Sequence, residues 1–87
     1  MTNYDAAASL HKWETLDKKR AGDAQTLGAA QIWNGTLAGC VKQFMAKPQS
    51  QQPLYDIMVD EDAGVGKTIL EPSDIHLLAK REDFPNA

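Results

Sequence analysis

The chain has 87 residues, 43% hydrophobic and 24% charged, the balance of one small globular domain and not of a disordered chain. A formal charge of −3 argues against a general nucleic-acid binder, and a single cysteine, Cys40, excludes an internal disulfide framework. The sequence has no signal peptide and no transmembrane run, which predicts a cytoplasmic protein.

Residues 3–20 read as a helix. Asn3 is a good N-cap, Asp5 suits the positive first turn, and Ala6, Leu10, Trp13 and Leu16 share one stripe. Glu14 and Lys18 stand one turn apart, the basic cluster Lys18, Lys19 and Arg20 complements the helix end, and Gly22 marks the exit.

Residues 24–47 support two readings. On a helix, Leu27, Ala30, Trp33, Leu37, Cys40, Val41, Phe44 and Met45 share a face. Against that stand Gly28, Gly35 and Gly39, each costing about 1 kcal/mol in a helix relative to alanine. Asn34-Gly35 is also a strong hairpin signal. Periodicity favours helix and punctuation favours strands. Trp33 belongs to the core in both.

The segment 47–53 is a polar loop. Leu54, Tyr55, Ile57 and Val59 alternate with Asp56 and Asp60 as a strand, and Thr68 to Leu70 return across a Gly-rich turn. Glu71 to Asp74 begin a single helical turn or 3₁₀ piece, followed by the apolar Ile75, Leu77 and Leu78. The tail 79–87 reads as loosely held.

Gly66, Lys67 and Thr68 match the end of a phosphate-binding loop, whose glycines let the backbone wrap the phosphates. Glu61 stands where the first glycine belongs, beside Asp60 and Asp62, and Pro72 closes off the long helix the motif needs. A Gly-rich turn is the better reading. Asp60, Asp62 and Glu71 occupy positions 1, 3 and 12 of a calcium loop, but Val65 fills the position that requires glycine. Cys40 could be a nucleophile with His11 or His76 as base, yet no spacing links them, and a small buried hydrophobe is the expected role. No catalytic, cofactor-binding or metal-ligating residue is therefore assigned.

Gly22-Asp23, Gly28-Ala29-Ala30, Trp33, Gly35 and Gly39, then Tyr55, Ile57, Gly64, Pro72 and Ile75 to Leu78, resemble the strands and 3₁₀ turn of the plasmid-borne type II dihydrofolate reductases. That resemblance covers residues 22–78 and implies a mainly β fold: a five-stranded SH3-like barrel preceded by the N-terminal helix. The alternative is an α+β helical hairpin packed on a two-stranded sheet with a short C-terminal helix. The family's substrate-binding run, Val-Gln-Ile-Tyr, is replaced by Thr68-Ile69-Leu70-Glu71, so the resemblance does not extend to the activity.

The expected function is a non-enzymatic interaction or accessory module of a bacterium, phage or mobile element, binding a protein partner or itself. No cofactor, nucleic acid or membrane enters that expectation. Leu10, Trp13 and Leu16 of the N-terminal helix, with Tyr55, are the candidate partner-binding residues. The alternative is a small oligomeric enzyme like those reductases, its site at a symmetry axis lined by Lys67, Thr68 and Ile69.

Overall fold

The computed structural model describes residues 2–13 and 29–85. Four strands form one antiparallel sheet in the order β2-β1-β3-β4: β1 is Ala7–Trp13, β2 Ala29–Thr36, β3 Tyr55–Val59 and β4 Ile69–Leu70. Helix α1, Leu37–Met45, follows β2, and helix α2, Pro72–Ala79, follows β4. Short 3₁₀ turns at Gln52–Leu54 and Glu61–Ala63 bracket β3. Among the described residues the sheet is open and four-stranded, which corrects both the five-stranded barrel and the helical-hairpin alternative.

The helix expected over 3–20 is also corrected, because residues 7–13 form a strand. Asn3 does not cap a helix; its side-chain oxygen accepts the N–H of Asp5 in a local turn. Tertiary pairing overrides the helix preference of the alanine run, since β1 pairs with β2 on one side and β3 on the other. The second half of the expected helix, with Leu16, Glu14 and Lys18, lies outside the described residues.

The ambiguous segment resolves into both of its readings in succession. From Ala29 to Thr36 it is strand, and residues 24–28 lie outside the described residues. From Leu37 it is helix, with Thr36 as N-cap accepting the Gly39 N–H at 3.0 Å. The helical face read from the sequence holds in this half for Leu37, Cys40, Val41 and Phe44, which are all buried, but not for Met45, which is 42% exposed. Asn34-Gly35 is not a hairpin turn but lies inside β2.

Both helices cover the same sheet face. Ala8, Leu10, Tyr55, Ile57, Val59 and Leu70 from the strands meet Leu37, Val41 and Phe44 of α1 and Ile75 and Leu78 of α2 in one contiguous core. The strand pairing explains this set, since Leu10 stands opposite Ile57 and Ile57 opposite Leu70, with side chains on one face.

Helix α2 is longer than the single turn expected. Pro72 begins it with its φ preset, and Glu71 and Asp74 form a capping box in which the Asp74 carboxylate accepts the Glu71 N–H at 3.1 Å. The tail is not loose through Phe84. That ring is buried edge-on against Tyr4 at 5.3 Å, and the Tyr4 hydroxyl donates to Asp83 at 2.8 Å. Among the described residues no helix is long and apolar enough to cross a membrane.

Candidate functional site

The sheet face turned away from α1 and α2 carries the densest polar chemistry. Strand alternation places Ser9, His11 and Trp13 of β1 there, with Asp56 and Met58 of β3. On the other flank, Asn34 stands opposite Ser9 and Gln31 opposite His11. A bulge in β2 makes this set possible. Trp33 pairs with Leu10 and Gln31 with His11, leaving Ile32 as the extra residue, 43% exposed. A shallow groove on this face is lined by Ser9, Gln31, Asn34, Met58, Asp60 and Thr68.

Two hydrogen bonds fix the centre of the cluster. Ser9 Oγ and His11 Nε2 are 2.7 Å apart, and Trp13 Nε1 donates to Asp56 Oδ2 at 2.8 Å. Burial holds the His11 pKa below its ordinary value, while the neighbouring Asp56 carboxylate opposes that shift. In the neutral tautomer that carries its proton on Nδ1, His11 Nε2 accepts from the Ser9 hydroxyl, and in the other tautomer Nε2–H donates to it.

The residues expected to bind a partner are placed differently. Leu10 is fully buried beneath α1 and α2, and Trp13 is only 2% exposed, with its indole tied to Asp56. Tyr55 is buried in the core, its ring flanked by the ammonium groups of Lys12 and Lys47, each 5.8 Å from the ring centre. None of these three offers an open docking surface. Leu16 lies outside the described residues.

The stretch resembling a phosphate loop is a turn. Gly64 and Gly66 take positive φ of 72° and 87°, the left-handed region that favours glycine. Lys67 is held by Asp74 at 2.7 Å. That hydrogen bond raises the lysine pKa and lowers that of the aspartate. Glu71 caps α2.

Cys40 is fully buried, and burial pushes its thiol up to about 12. A thiol held there is protonated at neutral pH and unreactive. His76 is engaged elsewhere: its Nε2 lies 2.9 Å from Gln52 Oε1, and its ring stands edge-on to Phe44 at 5.4 Å. Gln52 in turn donates to the Lys47 carbonyl, which ties the 3₁₀ turn before β3 to the end of α1.

The Ser9–His11 pair escaped the sequence reading because a helix over 3–20 puts residues two apart on different sides. Alternating polar positions in Ser9-Leu10-His11 were the available signal. Comparison with protein-family models, with curated proteins and with solved structures finds no match.

Proposed function

We propose that this protein is a small self-associating interaction module that pairs through the β2 edge of its sheet with the same edge of a second copy. The observation that carries this reading is the contrast between the two ends of the strand order. β2 has eight residues, none of them ionisable, and Ala30, Gln31, Ile32, Asn34, Gly35 and Thr36 are exposed. β4 has two residues and is followed by Pro72.

Edge strands are normally blunted by charge, proline or shortness, and β4 has the last of these. Among the described residues β2 carries only its bulge. That bulge bends the strand at Ile32 and leaves Trp33 to Thr36 as the regular stretch for pairing. An antiparallel pairing of two copies about a two-fold axis uses the same patch twice, so like charges at the edge would oppose each other. An uncharged β2 avoids that repulsion although the chain as a whole carries −3.

The test is molar mass in solution over a range of concentrations, for the wild type and for Ile32→Lys combined with Asn34→Lys. The wild type is expected to exceed the 9.5 kDa of one chain as concentration rises, and the doubly charged variant to stay at it with an unchanged circular-dichroism spectrum. A wild type that stays at one chain's mass up to millimolar concentration removes the proposal.

A further inference from the structure

We infer that Ser9 and His11 form a nucleophile–base pair on the sheet face turned away from the helices, able to cleave a carboxylic ester through an acyl-Ser9 intermediate. The inference goes beyond self-association and uses a different part of the molecule, the groove across β1 instead of the outer edge of β2.

Four observations converge on it. Ser9 Oγ lies 2.7 Å from His11 Nε2, the reach a base needs to take a hydroxyl proton. With its own proton on Nδ1, His11 accepts from Ser9 at Nε2, and Asp56, its register partner on β3, supplies negative charge beside the imidazolium that forms. Asp56 is itself fixed by the Trp13 indole at 2.8 Å, so the carboxylate has a set orientation. Finally, Asn34 stands directly across from Ser9, and both line the groove, placing a carboxamide donor beside the hydroxyl where negative charge develops on a carbonyl oxygen.

The chemistry balances without any added group. Ser9 Oγ bonds to the ester carbonyl carbon as its proton passes to His11 Nε2. The C–O bond to the alcohol breaks, and the alcohol leaves with that proton. Water then attacks the acyl-Ser9 carbonyl and gives its proton to His11. His11 returns it to Ser9 Oγ as the carboxylic acid departs.

The experiment uses a fluorophosphonate, on which Oγ forms a P–O bond and yields its proton to His11 Nε2 as the P–F bond breaks and fluoride leaves. Intact mass and peptide mapping are expected to show one adduct per chain, on Ser9. Ser9→Ala should take up none. His11→Gln should slow labelling by about 100-fold or more, the contribution of a positioned general base. Both variants are read only with a wild-type thermal midpoint. If His11→Gln does not fold, Ser9→Ala, which removes one hydroxyl, still decides. An unlabelled wild type, an adduct on another residue, or labelling unchanged in folded His11→Gln each overturns the inference.

Discussion

The indole N–H of Trp13 donates to the carboxylate of Asp56 at 2.8 Å, across two strands and with both side chains buried. Trp13 is absent from the contiguous apolar core although it is nearly inaccessible, so its ring serves the opposite face of the sheet. Trp13→Phe keeps an aromatic ring but removes the donor together with part of the buried indole. A buried hydrogen bond to a carboxylate contributes about 1.5–3 kcal/mol, and with the lost ring atoms that is the least loss expected in urea unfolding of Trp13→Phe. A change below roughly 0.5 kcal/mol, the size of a neutral surface substitution, would show that the bond is incidental.

Cys40 sits on α1 with no exposed surface and a thiol raised to about 12. Alkylation by iodoacetamide at pH 8 needs both a thiolate and access, and the native state supplies neither. Labelling is therefore expected to track the unfolded fraction, rising across the urea transition with the same midpoint as circular dichroism. Fast labelling in buffer would mean that α1 opens on its own.

His11 gives the stability a pH dependence with a definite sign. Its folded pKa lies below the ordinary 6.5 because burial disfavours the imidazolium. The unfolded chain then binds more protons than the folded one near pH 6, so stability rises with pH there. This contribution is complete above about pH 6.5, the unfolded value, and is lost as pH falls through the folded value. The carboxylates of Asp74 and Asp83 are lowered from 3.8 by their partners, so their losses fall at more acid pH. The difference in unfolding free energy between wild type and His11→Gln should therefore move in favour of the variant as pH drops from 7 to 5. A ring-proton titration with a midpoint above 6.5 would reverse the sign.

Parts of this architecture were legible in the sequence because their signals had one physical cause. The alternation from Tyr55 to Val59 is a strand with Tyr55, Ile57 and Val59 in the core, and the glycines at 64 and 66 are a turn that needs positive φ. The apolar face of Leu37, Cys40, Val41 and Phe44 is the buried face of α1. Other signals had two possible causes. Ala6, Leu10 and Trp13 satisfy a helical stripe, but in the strand Leu10 and Trp13 bury on opposite faces. The Ser9–His11 pair becomes visible only once that strand is known, because only there do residues two apart share a face. Gly35 and Gly39 read as hairpin punctuation. Their role is instead clearance for a tryptophan ring.

That clearance yields a sign-changing prediction. A Cβ on Gly39 would come within 2.5 Å of Trp33 Cη2, and one on Gly35 within 2.6 Å of the same atom. Trp33 is half-buried at the rim of the core, not interior as the sequence suggested, and its ring packs over both glycines. Gly39 lies in the first turn of α1, where alanine should otherwise be favoured by up to about 1 kcal/mol. The steric cost of moving the indole is of the order of 1–3 kcal/mol, as for overpacking, so Gly39→Ala is expected to destabilise by about 1–2 kcal/mol net. Removing the ring removes the clash. In a Trp33→Leu background the same Gly39→Ala change should become neutral or stabilising, because only the helix preference remains. A double-mutant cycle by urea unfolding reads this directly, with a coupling of about 1–3 kcal/mol expected for residues in contact. Gly39→Ala costing the same in both backgrounds would mean that the indole does not rest on Gly39.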